Sequence, residues 1–238
     1  GDLRGISPVG GDILALADSA VEVRATYGSA VICDRIAADA MAFAPAGRLS
    51  AGSGNILTSF LTPPDVGDTL FVYDTAAPAV ESPWKAHRVA AVSVTTDARV
   101  CGVLSGYTAA GDASKSRVVV SVTPALAATE GKGSPVRFTR RVRYNIYQAG
   151  DDNWYLGYNQ RVSDAWVGLQ PVSGPYRAYT GDTLTSGLTL RYYAADGAEI
   201  TAMADAARIA RVRLWIRARK GPAAEDYLNL TVAIRNRT

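Results

Sequence analysis

Side chains that alternate between apolar and polar with a period of two constrain this chain most strongly. The pattern is clear in Val21-Glu22-Val23-Arg24, and it returns in His87–Thr95, in 117–122 and in Val136–Tyr147. Successive side chains of a β-strand point to opposite faces, so such alternation predicts half-buried strands. We therefore predict a mainly β fold of antiparallel sheets with long hairpins and at most short helices.

Turn residues divide the alternating runs. Gly28 predicts a tight hairpin turn between the strand that begins at Val21 and the next strand, Ala30–Cys33. Gln148–Asn153 predicts the turn after Val136–Tyr147, with Trp154–Tyr158 as the returning strand. Two further sets of segments follow from weaker patterns. The short helix candidates are 13–18 and 201–206, and the last hairpin pairs 207–219 with 227–237.

The domain organisation follows from the length of 238 residues. The chain is long enough to bury a hydrophobic core without added cross-links. A connector rich in small residues near 125–135 separates two parts of the sequence that differ in composition. We expect one β-rich domain over residues 1–238, either undivided or built of two sub-sheets that meet near that connector.

The composition disfavours most catalytic and metal sites. A chain with one histidine and two cysteines cannot assemble a histidine-rich metal site, a Cys₄ zinc site or a Cys₂His₂ zinc site. Gly131-Lys132-Gly133-Ser134 lacks the first glycine of a phosphate loop. His87 is interpreted as a strand surface residue, and the adjacent acidic pair Asp151 and Asp152 as turn residues. We predict no catalytic residue, no metal, no cofactor and no enzymatic activity.

Cys33 and Cys101 are the whole cysteine inventory, and each follows a β-branched residue. Two buried free thiols and one disulfide both agree with this setting. An even cysteine count favours the disulfide in an exported protein. We predict the disulfide, and with it an oxidising compartment.

Charge is distributed unevenly along the chain. Residues 1–135 carry 10 basic and 13 acidic groups, whereas residues 136–238 carry 15 basic and 9 acidic groups. Such asymmetry is typical of a polyanion-binding face or of a subunit that stacks head to tail. Arginines that decorate solvated strands are the alternative.

The last hairpin concentrates this basic character on one face. Alternation predicts an apolar face directed into the core, and an opposite face rich in arginine with one tryptophan. The candidate interaction face consists of Arg211, Arg213, Trp215, Arg217, Arg219, Arg235 and Arg237. The face predicts contacts with acidic groups of the first half of the chain or of a neighbouring subunit; alternatively, it binds DNA weakly and without sequence preference. From the sequence, Trp215 has no second stacking residue beside it.

Several segments, taken in order, resemble a known family. They are Gly11–Leu14, Tyr147–Gly157, Gln170–Pro175, Gly187–Tyr193 and a terminal strand that ends in Arg235-Asn236-Arg237. Together they are similar to the globular domain of type IV pilin-like proteins, specifically large minor pilins and minor pseudopilins of type II secretion. The resemblance implies a structural filament subunit outside the cytoplasm whose partners are other such subunits, without sequence-specific nucleic-acid binding.

The sequence departs from that family at its start. The family begins with an apolar helix, which this sequence does not contain, and we expect Gly1–Gly5 to follow the end of that helix. The resemblance therefore implies a membrane contact through that helix alone, and an ectodomain that is monomeric at micromolar concentration. The alternative function is a secreted β-rich module that binds carbohydrate or a polyanion through its 12 tyrosines and 4 tryptophans.

Overall fold

The fold was taken from a computed structural model, which describes residues 6–46, 57–78, 82–220 and 224–234. It is mainly β with antiparallel pairing, as the alternation predicted. The strands are β1 Ile13–Leu16, β2 Ala20–Ala37, β3 Ala40–Phe43, β4 Ser59–Phe60, β5 Thr69–Tyr73, β6 Trp84–Thr95, β7 Arg117–Thr123, β8 Pro135–Gln148, β9 Trp154–Val162, β10 Ala165–Tyr176, β11 Leu188–Ala194, β12 Glu199–Ile200, β13 Ile209–Lys220 and β14 Ala224–Ala233. Short 3₁₀ helices span Val103–Ser105, Ala110–Asp112 and Met203–Arg208. No helix of the described segments is long and apolar enough to cross a membrane.

The chain forms two compact units, and neither corresponds to one half of the sequence. The first unit comprises Gly1–Ala25, Arg141–Arg161 and Trp166–Thr238, and the second comprises Thr26–Arg140 and Val162–Ala165. The borders fall inside β2 and β8, so each of these long strands contributes to both units. The return to the first unit at Arg141 comes shortly after the 125–135 connector.

The second unit is a sheet that closes on itself. Its strands follow the order β2, β3, β7, β6, β5 and β8, and β8 pairs again with β2. Closure leaves no free edge within this ring of strands. Phe138 lies inside it, with its ring 5.1 Å from that of Phe43 and 5.4 Å from that of Phe60. The buried core is Ala30, Ile32, Met41, Phe43, Leu70, Val72, Val89, Val120, Val122, Leu126, Val136 and Phe138.

The first unit joins the start of β2 and the end of β8 to the C-terminal strands. β9 and β10 continue from β8, and β13 pairs with β10, β11 and β14. Leu190 N–H donates to the Asp18 carbonyl at 2.7 Å, so β11 also bonds to the segment after β1. The buried core is Ile6, Ile13, Val21, Val23, Ala25, Val142, Tyr176, Leu188, Leu190, Tyr192, Ala194, Ile200, Ala206, Ile209, Val212 and Ile234.

Two local predictions near the start of the chain are wrong. The segment predicted as a helix at 13–18 contains strand β1, because Ile13 pairs with Val23 and this pairing overrides local helix propensity. The predicted turn at Gly28 lies inside the unbroken strand β2. Gly28 is opposite Phe60, and a Cβ there would lie 2.6 Å from the Ser59 carbonyl oxygen. This glycine therefore permits close approach of β4 rather than a turn.

Other predicted elements are close to the observed ones. The 201–206 helix candidate overlaps the 3₁₀ helix Met203–Arg208, and the last hairpin is β13 with β14. Strand β10 was not predicted, since Gly168, Pro171 and Gly174 argue against a strand. Most residues of β10 are exposed, and a strand tolerates proline more readily at exposed positions.

Candidate interaction face on the C-terminal hairpin

The pairing of β13 determines which side chains share the predicted face. Arg213 is opposite Arg191 on β11 and Thr231 on β14, and Trp215 is opposite Thr189 and Asn229. Directly opposed residues of an antiparallel pair lie on one face. The arginine–aromatic face, a name used below for this set, is Arg211, Arg213, Trp215 and Arg217 of β13 with Tyr193 of β11 and Tyr227 of β14.

Cations and rings alternate along this face. The Arg213 guanidinium lies 5.3 Å from the ring centroid of Tyr193 and 5.7 Å from that of Trp215. The Trp215 and Tyr227 rings are 5.8 Å apart, and the Arg217 guanidinium lies 5.4 Å from the Tyr227 ring. Cation–π contacts at these distances hold the guanidinium groups against the rings.

Trp215 therefore shares its face with two other aromatic residues, Tyr193 and Tyr227, whereas the sequence predicted no second stacking residue. Tyr193 belongs to a different hairpin, and only the register Tyr193↔Arg211 brings it to the face. Tyr227 starts the described side chains of β14, and the pair Arg217↔Tyr227 places it beside Trp215. The signal for Tyr227 was in the alternation itself, because it has the same parity as Asn229 and Thr231.

The three β13 arginines of this face differ in charge pairing from arginines nearby. Arg191 pairs with Glu199 at 2.8 Å, and Arg208 lies 3.4 Å from Asp205. Among the side chains that the structure describes, which exclude those of residues 219–226, no carboxylate makes a salt bridge with Arg211, Arg213 or Arg217. The buried Nε atoms of Arg213 and Arg217 and the Nε1 atom of Trp215 have no hydrogen-bond acceptor among the described groups. The face thus carries positive charge that the described part of the chain does not neutralise.

The opposite face of the hairpin is apolar, as predicted, but only part of it is buried. Val212 and Ile234 are buried at 1% exposure, whereas Leu228 and Leu230 are 54% and 45% exposed. The prediction that this apolar face is directed into the core is wrong for these two leucines, because the core of the first unit packs against Leu214 and Ile216 of β13 and not against their neighbours on β14. The side chain of Arg219, and Arg235 and Arg237 entirely, lie outside the described residues.

The predicted disulfide is confirmed. Cys33 and Cys101 are bonded, their Cα atoms are 5.3 Å apart and both residues are buried. This separation is in the usual range for a disulfide. The bond connects β2 with the turn that follows β6 in the second unit. Such bonds persist in extracellular and periplasmic compartments, which is the localisation that the disulfide supports.

His87 is buried at 3% exposure, so its interpretation as a surface residue is wrong. Its Nδ1 lies 2.8 Å from the Pro124 carbonyl oxygen, and its Nε2 lies 3.2 Å from a Glu130 carboxylate oxygen. A carbonyl only accepts, so Nδ1 carries a proton and donates it. Glu130 also accepts the Ala127 N–H at 2.6 Å. These contacts join β6 to the loop after β7, so we assign His87 and Glu130 a structural role.

The second unit also contains an arginine whose charge is fully paired. Arg140 donates to both Asp68 oxygens, through Nε at 2.8 Å and a terminal nitrogen at 2.7 Å. It also donates to the Pro63 carbonyl and lies over the Tyr27 ring at 4.8 Å. Tyr27 donates its hydroxyl to Asp68 at 2.7 Å. Burial and the neighbouring Asp68 raise the pKa of Tyr27, so it stays protonated as the donor.

Glu22 forms a second buried acidic centre, in the first unit. Burial tends to raise the pKa of this carboxyl, but hydrogen bonds and charges from Arg141 and Arg143 outweigh burial and lower the pKa. The Arg143 guanidinium in turn lies 4.3 Å from the Trp166 ring. This arrangement uses the arginines of β8 to fix a carboxylate, and it leaves that carboxylate ionised at neutral pH.

One polar concavity of the first unit is small. A pocket of about 90 Å³ in the first unit is lined by residues that include Asp18, Arg191 and Glu199. Arg191 is paired with Glu199, and Asp18 accepts the Tyr179 hydroxyl at 2.6 Å. Across the described segments, no group of three or more histidine, cysteine or acidic side chains is placed to hold a metal ion. No family model matches the chain, and no curated protein or solved structure matches it significantly.

Proposed function

We propose that this protein is a structural subunit of a bacterial surface filament or secretion pseudopilus, located at the cell surface or in the periplasm. It acts through contacts between subunits rather than through catalysis. One observation carries the proposal: guanidinium groups of Arg213 and Arg217 are held on aromatic rings while no described carboxylate pairs with them. The order of segments that resemble large minor pilins and minor pseudopilins supports the same conclusion.

The chemistry of the face suits a protein partner. Arginine, tyrosine and tryptophan are enriched at protein interfaces and dominate their binding energy. Stacking on Tyr193, Trp215 and Tyr227 restricts the arginine side chains before a partner arrives. Less side-chain entropy is then lost on binding. A guanidinium that keeps free N–H groups pairs bidentately with a carboxylate, so we expect acidic side chains on the partner subunit.

Cell fractionation tests this function. Surface filaments are sheared from producing cells, and antibodies against this domain are used on the sheared, periplasmic and culture-medium fractions. The proposal predicts the protein in the sheared filaments, or in a membrane-associated assembly with other subunits. A protein found only as a free species in the medium would contradict it.

A second candidate is a binding module for a polyanion. The observation that favours it is again the unneutralised charge of Arg211, Arg213 and Arg217, now with three aromatic neighbours instead of one. Rings already covered by guanidinium groups have little surface left for base stacking, which favours contact with phosphates or other oxyanions alone. Such contacts give a Kd of roughly 10⁻⁴–10⁻⁶ M that weakens with salt.

Fluorescence anisotropy separates the two candidates. Two DNA duplexes of unrelated sequence and one acidic polysaccharide are titrated with the protein at moderate salt. Weak, equal and salt-dependent binding of the duplexes is expected from a face made for protein carboxylates. Nanomolar binding of any of these polymers would instead establish the polyanion module as the function.

A further inference from the structure

Strand β14 has an open edge. It pairs with β13 over its whole length, from Lys220↔Ala224 to Arg211↔Ala233, without any shift of register. Among the strands of the described ranges, β14 pairs with no other. One side of β14 therefore faces away from its sheet.

The ladder of hydrogen bonds shows which backbone groups face this open side. Ile234 N–H donates to the Ala210 carbonyl at 2.9 Å, so Ile234 directs its backbone toward β13. Residues of an antiparallel strand alternate between the two sides. Tyr227, Asn229, Thr231 and Ala233 consequently direct their N–H and C=O groups to the open edge. These are strong donors and acceptors that a further strand would satisfy.

Most of this edge lacks residues that obstruct pairing. The charged residues of β14 are Glu225 and Asp226 at its start, and residues 227–234 contain no charged residue, no proline and no glycine. Soluble proteins usually protect a long edge with a lysine, a proline or a bulge. Leu228 and Leu230 are 54% and 45% exposed on one face of the strand, and Tyr227 is 51% exposed on the other. From Tyr227 onward, β14 is thus an uncharged edge with exposed apolar side chains and without these protective residues.

We propose that β14 pairs with β14 of a second copy of this chain, antiparallel and about a two-fold axis at Leu230. In this register Leu228 is opposite Val232 of the partner, Asn229 is opposite Thr231, and the large Tyr227 is opposite the small Ala233. Each pair matches apolar with apolar, polar with polar or large with small, as favourable cross-strand pairs do. A two-fold interface requires such self-complementarity, which is why a second copy is the occupant.

Charge supports the same orientation. The charged residues of β14, Glu225 and Asp226, both lie at its start. Antiparallel self-pairing separates the acidic starts of the two strands, whereas parallel pairing sets them side by side. The two β13 strands would be three strand spacings apart, about 14 Å. That exceeds the Debye length of about 8 Å in physiological salt, so their arginines do not oppose the dimer.

The inference does not depend on the proposed function. It argues against the monomer expected from the family resemblance, because that expectation took no account of an unprotected edge. The edge gives this dimer a defined register, and the register provides its test.

Cross-linking tests the axis directly. Leu230→Cys places two thiols opposite each other in a non-hydrogen-bonded pair, where Cα atoms are about 4.5 Å apart and a disulfide can form. Both native cysteines are already bonded, so they do not interfere. At micromolar concentration under mild oxidation, we expect a covalent dimer of Leu230→Cys. Leu104→Cys is the matched control, since Leu104 is fully exposed in the second unit. We expect that variant to form no covalent dimer.

Sedimentation velocity provides the second measurement. The unsubstituted protein should sediment as a dimer at micromolar concentration. Thr231→Pro removes a donor from the open edge only, because Thr231 N–H does not face β13, so this variant should be monomeric and folded. An unsubstituted protein that stays monomeric and a Leu230→Cys variant that cross-links no faster than Leu104→Cys would overturn the inference. A dimer that survives Thr231→Pro and leaves Leu230→Cys unlinked would overturn it as well.

Discussion

The environments of Arg140 and Arg213 differ in whether the guanidinium group remains available to bind a partner. Arg140 in the second unit is 7% exposed at its side chain and donates to both oxygens of Asp68. Arg213 in the first unit also contacts aromatic rings, but none of the described carboxylates pairs with it. Both are strand residues, and both lie within 6 Å of a tyrosine ring. The difference is the counter-charge: a paired, buried guanidinium stabilises the fold, and an unpaired one on a sheet face remains able to bind.

The largest effect should follow from removing the counter-charge of Arg140. Asp68→Ala leaves a buried guanidinium unpaired, which should lower the free energy of unfolding by about 3–5 kcal/mol. Chemical denaturation measures it. The double variant Asp68→Leu/Arg140→Met removes both charges and should lose less than the single variant. A loss below about 1 kcal/mol for Asp68→Ala would remove the contrast between the two environments.

The disulfide should contribute a comparable amount. Its cysteines are 68 residues apart, so the double variant Cys33→Ala/Cys101→Ala should be destabilised by about 4 kcal/mol through the entropy of the unfolded chain. Chemical denaturation of the natural protein and of the double variant measures this difference in the free energy of unfolding. Alkylation of the denatured, unreduced natural protein followed by mass measurement is the control. It should add no label, and two added labels would contradict the bond.

The ion pairs of Glu22 should make stability depend on pH. Because its pKa is lowered in the folded protein, the stabilisation is fully present above the unfolded pKa of about 4.3 and is lost as pH falls through the folded pKa. Glu22→Gln should cost about 1.5–3 kcal/mol at neutral pH and should flatten the loss of stability in acid. Glu199→Gln is the control, since the Glu199 side chain is 40% exposed whereas that of Glu22 is 5% exposed. If the free energy of unfolding of the natural protein and that of Glu22→Gln fell in parallel as the pH was lowered, this role of Glu22 would be refuted.

The arginine–aromatic face should contribute least to stability. Arg213→Gln and Arg217→Gln each remove a partly exposed cation–π contact worth about 0.5–1 kcal/mol. Denaturation of each variant should show a loss in that range. A loss comparable to that of Asp68→Ala would mean that these arginines belong to the fold rather than to a binding face.

Alternation predicted the β fold and both faces of the last hairpin, because strand periodicity is local. Pairings between distant strands are not local, so the sequence did not associate Tyr193 with Arg211 or place β1 beside β2. The wrong prediction of a turn at Gly28 has the same cause, because β4, the strand that pairs with β2 at Gly28, lies more than thirty residues away in the sequence. His87 was assigned to the surface because its flanking charges suggested solvent, whereas its partners Pro124 and Glu130 come from another loop.

The disulfide was predictable, since two cysteines allow one intramolecular pairing. The open edge of β14 was not, because a strand in sequence carries no sign of how many neighbours it will have. Leu228 and Leu230 read as core residues in the alternation and are half exposed in the fold. Their exposure depends on where the packed strands of the first unit end, and that is a property of the whole unit.

The most direct test of the account asks whether the arginine–aromatic face serves a partner. The double variant Arg213→Gln/Arg217→Gln and the control Arg99→Gln, whose arginine is 90% exposed in the second unit, are each expressed in cells that lack the natural protein. The fraction of each recovered with sheared filaments or with the membrane assembly is measured by immunoblot. The account predicts that the double variant is lost from that fraction while it stays folded, and that Arg99→Gln is retained. Retention of the folded double variant at the natural level would contradict the account.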